Sequence, residues 1–197
     1  MSMSQQTIRV WDPLVRIFHW SLASAFFIAY ITEDDFMTVH EYAGYAVLSL
    51  IGIRLIWGII GTKYARFSNF VTSPKTTIKY IKSIFTFNAE RHIGHNPAGG
   101  AMIIALLVSL TLTATTGMLY YGIEDQSGLA ASFVSAWPSF LNDPLEEIHE
   151  FFANLSMFLV IAHVSGVLIA AIQHGENLIA SMWHGRKRAR LDESLNN

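Results

Sequence analysis

Two histidines lie in a long uncharged stretch near the end of the chain, and their spacing is suited to metal chemistry. Residues 151–172 contain no charged side chain, and His163 follows His149 by fourteen residues. Fourteen residues of α-helix turn through about 1,400°, within roughly 40° of whole turns, and rise about 21 Å. Both imidazoles therefore face one side of the helix, at two depths of a hydrocarbon layer about 30 Å thick. Polar side chains at such depths are costly and usually functional, so each histidine requires a partner.

The elements that must position these histidines are four long apolar segments. The chain has 197 residues, of which 52% are hydrophobic and 14% charged, a balance that is unusual for a soluble domain. The apolar segments occupy residues 14–31, 40–61, 98–122 and 148–173. Each is long enough to cross a bilayer as a helix. The sequence therefore predicts an all-α integral membrane four-helix bundle that forms a single domain over residues 1–197.

The distribution of basic residues predicts the orientation of this bundle. The loop 32–39 and the loop 123–147 contain no lysine or arginine. The basic residues concentrate in the loop 62–97 and in the tail, at Lys63, Arg66, Lys75, Lys79, Lys82, Arg91, Arg186, Lys187, Arg188 and Arg190. Cytoplasmic loops carry such an excess of basic residues. We therefore expect a multi-pass protein of the bacterial inner (cytoplasmic) membrane with both termini in the cytoplasm.

With this orientation, four histidines form two pairs that match in depth. His19 lies about 20 Å from the outer end of the first span, at the depth of His163 in the cytoplasmic half. His40 opens the second span at the outer surface, at the depth of His149. Two neutral imidazoles that face each other across a bundle can bind one haem iron from both sides, while the second nitrogen of each ring donates a hydrogen bond. Because the chain contains no cysteine, the haem would be noncovalent haem b.

Three residues near these histidines are candidates for contacts with the porphyrin. Gly44 follows His40 by one helical turn and leaves space for a planar group beside the backbone. Arg54 lies fourteen residues after His40, about 21 Å deeper. Arg16 shares a helix face with His19. A guanidinium binds a carboxylate through two hydrogen bonds, so Arg16 and Arg54 are candidates to bind propionates. For Arg16, a positive-inside topology signal explains the charge equally well.

The number and spacing of these histidines fit other kinds of site less well. A single intramembrane histidine is usually a packed polar residue, whereas four histidines matched in depth favour a metal centre. Glu146-x-x-His149 has the spacing found in di-iron carboxylate bundles, but Met37 stands where His40 would need a glutamate. Two separated histidine pairs do not form a four-ligand zinc site. A transporter is disfavoured because the third span is without ionisable residues until its closing tyrosines, and no repeat symmetry is visible.

The remaining segments carry weaker signals. Residues 75–87 place lysines on one side and apolar residues on another, which predicts an amphipathic helix on the cytoplasmic leaflet. We expect the first ten residues to be loose and the third span to serve as scaffold. His92, His95 and His184 are expected in solvent. His174 is expected at the helix end, with a role in quinone binding or proton transfer as the sharper alternative. As an inner haem ligand it could rival His163, but it lies about 37 Å from His149, too deep for a partner at the level of His19.

Several short motifs of the chain also resemble those of a known family. Arg16-Ile-Phe-His19-Trp20 is similar to the Arg-x-x-His-Trp start of prokaryotic cytochrome b561 proteins, which include the b-type cytochrome subunits of nickel–iron hydrogenases. Over about residues 8–188 the chain shows further segments similar to that family's motifs: His40-x-x-x-Gly44-Tyr45, Arg54-x-x-Trp57-Gly58, Tyr64-Ala65-Arg66-Phe67, Asn96-Pro97-x-Gly99-Gly100, Thr116-Gly117, Glu147-x-His149-Glu150 and His163-Val-x-Gly166-Val.

The resemblance implies two haem b groups with ligands at the four matched histidines, His19 with His163 and His40 with His149. It also implies electron exchange with quinone. The leading expectation is a dihaem b-type cytochrome that transfers electrons between the membrane quinone pool and a periplasmic redox protein of hydrogenase or cytochrome c type. It would act either as an electron-transfer protein or as a subunit of a quinone-linked oxidoreductase. The alternative is a haem-containing membrane anchor for an outer redox enzyme, without quinone chemistry. Membrane lipid is the other expected contact, and no nucleic acid is expected.

Overall fold

The computed structural model describes residues 7–33 and 35–189. Within this part of the chain, four helices are long and apolar enough to cross a membrane. They are α1 (Pro13–Ile31), α2 (Met37–Ile60), α4 (Pro97–Glu124) and α6 (Asn142–His174). Three shorter helices complete the set, namely α3 (Pro74–Phe85), α5 (Ala131–Val134) and α7 (Leu178–His184). The predicted all-α membrane bundle with four spans is confirmed. Asp34 of the first loop, and Arg190 of the basic tail, lie outside the described residues.

The helices that flank the third loop are longer than the apolar pattern indicates. α4 continues to Glu124, and α6 begins at Asn142 after a short 3-10 turn at Ser139–Leu141. The sequence predicts that the last span starts at residue 148, because charged residues precede that position. Charged residues are compatible with a helix that extends beyond the hydrocarbon layer, so apolar content marks the membrane boundary and not the helix end.

The first span begins at a buried carboxylate that also joins two other segments. Asp12 is 9% exposed, and its Oδ1 accepts the backbone N–H of Val15 at 3.0 Å. Its Oδ2 accepts the hydroxyl of Thr62 at 2.7 Å and the indole N–H of Trp57 at 3.2 Å. Asp12 is thus an N-cap with Pro13 at the first helical position, where its missing N–H costs nothing. Burial raises the pKa of Asp12, but these hydrogen bonds outweigh burial and hold it below its usual range.

Replacing Asp12 with alanine is expected to lower the free energy of unfolding by about 2–3 kcal/mol, because a cap and two further hydrogen bonds disappear. The measurement is thermal unfolding in detergent by circular dichroism, with Asp12→Asn as the control that keeps the cap. Because the folded pKa is lowered, the contribution is complete above the unfolded pKa and is lost as pH falls through the folded pKa. An alanine variant as stable as wild type at neutral pH would contradict this role.

The predicted amphipathic segment forms a helix, α3, with one buried residue and several exposed apolar residues. α3 has Ser73 as its N-cap, whose hydroxyl accepts the N–H of Thr76 at 3.3 Å. Tyr80 is its buried residue, and its hydroxyl donates to the Glu90 carbonyl at 2.9 Å. Ile78 and Phe85 are exposed, as expected for an apolar face that meets lipid. The helix begins one residue before the predicted segment and ends two residues before its end.

The prediction that the first ten residues are loose is wrong for residues 7–10. Strand β1 (Thr7–Arg9) pairs in antiparallel fashion with β2 (Arg186–Arg188). Gly185, with φ of 84°, turns the chain between α7 and β2, and its carbonyl accepts the N–H groups of Val10 and Trp11 at 2.8 and 3.1 Å. A three-residue strand is too short to show period-two alternation, so no pattern in the sequence predicted it.

The contacts divide the chain into two compact units. The terminal unit comprises, of the described residues, 7–17, Ile56–Ala101 and 163–189. The His-pair unit comprises Phe18–Leu55 and Met102–Ala162. In the terminal unit, Val10, Trp11, Val15 and Ala65 form a buried cluster. In the same unit, Arg91 forms an ion pair with Glu176 at 2.5 Å, and Gln173 donates to the Ile84 carbonyl at 2.7 Å.

The two histidines of the long basic loop are half-buried, and the prediction that they are in solvent is wrong. His95 lies between two aromatic rings, with ring centroids 4.5 Å from Trp11 and 4.7 Å from Phe70. His92 packs edge-on against Tyr80 at 5.4 Å. These histidines lie in a polar turn before a proline, and nothing in that local sequence indicates the aromatic partners. His184, by contrast, is exposed as predicted.

Candidate functional site

Two of the predicted ligands lie side by side in the His-pair unit. His40 is in the first turn of α2, and His149 is in the third turn of α6. The centroids of their rings are 6.0 Å apart, with the ring planes at 76°. Both residues are half-buried. The pairing that depth alone predicted for these two histidines is therefore present as a direct approach of the rings.

Each ring is fixed by a hydrogen bond from its Nδ1 to a backbone carbonyl. His40 Nδ1 lies 2.9 Å from the oxygen of Ala29, and His149 Nδ1 lies 2.8 Å from the oxygen of Thr113. A carbonyl only accepts, so each Nδ1 carries the proton and each Nε2 keeps its lone pair. This is the tautomer that a metal-binding histidine with an outer hydrogen bond requires.

The two acceptor carbonyls are accessible for different reasons. Ala29 is in the last turn of α1, where its carbonyl has no N–H partner four residues on; besides His40 it accepts the backbone N–H and the hydroxyl of Thr32 at 3.2 and 3.3 Å. Thr113 is inside α4, where the side chain one turn later would normally cover the carbonyl. That later residue is Gly117, and a Cβ added to it would lie 2.6 Å from Cε1 and 2.7 Å from Nδ1 of His149. The missing side chain therefore makes the space that the imidazole occupies.

The pair fits the iron of a haem group. Imidazole nitrogens bind first-row transition metals at about 2 Å, so two rings on opposite sides of one ion have centroids about 6 Å apart. The observed separation is 6.0 Å. No cluster of three or more His, Asp or Glu side chains that could hold a metal is found among the described residues. Two histidines suffice when a porphyrin supplies the remaining ligands, whereas the di-iron and zinc alternatives need more protein ligands.

Two further candidates in the His-pair unit have surroundings that suit a planar, acidic cofactor. A Cβ built on Gly44, one turn after His40, would meet nothing within 4 Å, so open space lies beside this half-buried position. Arg54 is 3% exposed, and its guanidinium carbon lies 6.0 Å from the centroid of the Phe18 ring. The Arg54 side chain is thus inside the protein, where a charge requires an anionic or dipolar partner.

The two predicted inner ligands belong to different units. His19, in the His-pair unit, is half-buried and meets the Trp20 ring edge-on with centroids 5.0 Å apart. His163, in the terminal unit, is half-buried on α6. In the terminal unit, the Nε of Arg16 is buried and has no hydrogen-bond partner among the described residues. A buried donor without a protein partner is what a propionate-binding arginine would show.

A buried serine of α4 meets a buried serine near the middle of α6. This pair was not identified from the sequence. Ser109 and Ser156 are 2% and 0% exposed, and their hydroxyl oxygens are 2.8 Å apart. Ser109 also donates to the Phe152 carbonyl at 3.3 Å. Ser156 stands seven residues from both His149 and His163, which is about two turns and therefore the same helix face. That repeat was the available signal. The serine pair joins α4 to α6 by a buried hydrogen bond, as is common between packed spanning helices.

The loop between α4 and α6, residues 125–141, is attached to α2 near His40. The hydroxyl of Tyr45 donates to Glu41 at 2.6 Å and accepts the N–H of Leu129 at 2.9 Å. Val134 of α5 is 1% exposed, and its side chain lies 3.0 Å from a Cβ built on Gly122. The Tyr45 hydrogen bonds link the loop to residues that adjoin His40 and Gly44 in sequence, and Val134 packs against α4.

One comparison with known proteins gives a match that covers most of the chain. The family model described as prokaryotic cytochrome b561 matches residues 10–185. No curated protein and no solved structure gives a significant match. The match covers most of the chain and includes all four candidate histidine ligands. The chain therefore belongs to the prokaryotic cytochrome b561 family and is a multi-pass membrane cytochrome that binds haem b and transfers electrons.

Proposed function

We propose that this chain is a dihaem b-type cytochrome that transfers electrons between a periplasmic redox protein and the membrane quinone pool. The observation that carries the proposal is the His40–His149 pair, whose rings are 6.0 Å apart with both Nδ1 atoms donating to backbone carbonyls. Such a pair would hold iron, because each Nδ1 proton is engaged by a carbonyl and the Nε2 lone pair of each neutral ring is the one that binds a metal.

The second pair is His19 with His163, supported by their matched depth in the sequence and by the two-layer spacing along α6. Haem b supplies one-electron redox chemistry when bound, and the protein would supply the histidine ligands, the orientation and a low dielectric. The buried Nε of Arg16 and the buried side chain of Arg54 would bind propionates. Pairing with these cations would allow carboxylates to remain ionised away from water.

We further propose that the His40–His149 pair lies near the periplasmic side and that both termini are cytoplasmic. A single-cysteine experiment tests this, because the chain contains no cysteine. Ser135→Cys in the outer loop is expected to react with an impermeant thiol reagent added to spheroplasts, whereas Lys79→Cys on α3 stays protected until the membrane is permeabilised. A membrane-permeant reagent that labels both variants is the control. Labelling of Lys79→Cys in intact spheroplasts would invert the proposed orientation.

The proposed reaction is tested with the purified protein and a quinol. The difference spectrum of the dithionite-reduced against the oxidised protein gives the total reducible haem b. Addition of a short-chain quinol is expected to reduce a substantial fraction of that haem within seconds, and the corresponding quinone should reoxidise it. If dithionite reduces the haem but quinol never does, the chain is a haem-containing anchor without quinone chemistry.

A further inference from the structure

The small sheet of the terminal unit places arginines directly opposite each other. In its register, Thr7 faces Arg188, Ile8 faces Lys187 and Arg9 faces Arg186. Since successive side chains of a strand alternate between faces, one face carries Thr7, Arg9, Arg186 and Arg188. The three arginines are exposed. Like charges opposite each other on a sheet are destabilising unless an anion compensates them.

The nearby carboxylate of Glu176 already interacts with Lys187, whose side chain lies on the opposite face of this sheet. Lys187 is 9% exposed, and its Nζ lies 3.8 Å from Glu176 and 3.3 Å from the carbonyl of His92. Glu176 also pairs with Arg91 at 2.5 Å. Among the residues described, no carboxylate pairs with Arg9, Arg186 or Arg188. The arginine face therefore has an excess of positive charge.

The arginine face adjoins a cleft whose lining residues carry several hydrogen-bond donors. The cleft has a volume of about 730 Å³ and is lined by Thr7, Arg9, His184 and Arg186. His184 Nδ1 accepts the backbone N–H of Arg186 at 3.1 Å, so in the neutral ring the proton is on Nε2. A hydroxyl, two guanidinium groups and an imidazole N–H are donors suited to the several acceptor oxygens of a phosphate.

The neighbouring helix indicates where this phosphate would come from. Residues 175–177 alone separate the end of α6 from the start of α7, so α7 lies close to the end of a membrane span. Ile179 and Trp183, one turn apart on α7, are 54% and 68% exposed. An exposed tryptophan beside a membrane span is typical of the lipid headgroup region. His184 of the cleft follows Trp183 directly.

We propose that this cleft binds the phosphate of an anionic phospholipid, with Arg9 and Arg186 on its oxygens and Trp183 beside its glycerol and acyl region. The site is separate from the histidine pair and does not depend on the haem assignment. It would hold the two ends of the chain together at the membrane surface, because Arg9 and Arg186 belong to different strands.

The test uses full-length haem-loaded protein in an uncharged detergent and phosphatidylglycerol as the probe. Native mass spectrometry at increasing lipid concentration gives the dissociation constant of the tightest-bound lipid. The Arg9→Gln/Arg186→Gln variant is expected to weaken it about thirty-fold, since each arginine near a lipid surface contributes about fivefold. Lys75→Gln/Lys79→Gln on α3 removes the same charge and is expected to change it less than threefold. Phosphatidylcholine is expected to bind weakly to all variants.

A second variant separates local binding from folding and from diffuse charge. Arg9→Lys/Arg186→Lys keeps the charge and loses the planar fork, so an affinity between those of wild type and the glutamine variant is expected. The Soret spectrum and elution volume of each variant show that it is folded. An equal loss in the α3 control, or full affinity in the lysine variant, would overturn the site in favour of nonspecific attraction. Competition by inorganic phosphate at the same concentration as the lipid would overturn the lipid assignment.

Discussion

Replacing His163 with alanine is expected to lower the haem content of the purified protein from about two to about one per chain. His163 lies fourteen residues from His149 on the same helix, about 21 Å along its axis. Loss of one proposed ligand pair should therefore leave the His40–His149 site nearly intact. The pyridine haemochrome assay measures the haem content, and redox titration should then show one midpoint potential instead of two.

The matched control is His174→Ala on the same helix. His174 is the last residue of α6 and is half-buried, so its removal is expected to leave both haem groups bound. The opposite pattern, with full haem content in His163→Ala and loss in His174→Ala, would show that His174 is the inner ligand. Loss of all haem in His163→Ala would show that the two sites are not independent.

Replacing Gly117 with alanine is expected to weaken haem binding at the His40–His149 site by about ten- to a hundred-fold, although Gly117 binds nothing itself. The added Cβ would lie 2.6 Å from Cε1 of the His149 ring. The ring would have to move, and the 2.8 Å hydrogen bond to the Thr113 carbonyl would be lost. Haem titration of the apoprotein, followed in the Soret band, gives the change in affinity.

Gly52→Ala is the control for this substitution. Gly52 is also inside a spanning helix of the His-pair unit, and a Cβ built on it would meet nothing within 4 Å. Haem affinity in Gly52→Ala should equal that of wild type. A Gly117→Ala variant with the same affinity as Gly52→Ala would mean that the orientation of His149 does not depend on this close approach.

The sequence predicted those features that depend on long-range periodicity along single helices. The four spans follow from uninterrupted apolar segments, and the depth of each histidine follows from the constant rise of a helix. The approach of His40 to His149 was predictable in the same way, since each histidine lies near the start of its span and alternate spans start on the same side of a membrane. The amphipathic α3 was visible because its lysines and apolar residues repeat at helical spacing.

Features that depend on contacts between distant segments were not predictable from one chain. The acceptor carbonyls of Ala29 and Thr113 belong to the backbone, so no residue type marks them. His95 has no sequence signal of the Trp11 and Phe70 rings that cover it. The β1–β2 pairing joins segments at opposite ends of the chain, and three residues are too few to show a strand pattern.

The backbone anchoring of His40 and His149 limits how the protein can be tuned by mutation. A side-chain acceptor can be deleted by one codon change, but the carbonyls of Ala29 and Thr113 persist whatever residue stands there. Single substitutions at those two positions thus leave the imidazole protons bound. Evolution of the redox potential would instead proceed through shifts of α1 or α4 that lengthen or shorten these bonds. Substitutions at Ala29 and Thr113 are therefore expected to leave the orientation of the rings unchanged. Substitutions at small residues that set the helix spacing, such as Gly117, are expected to change it.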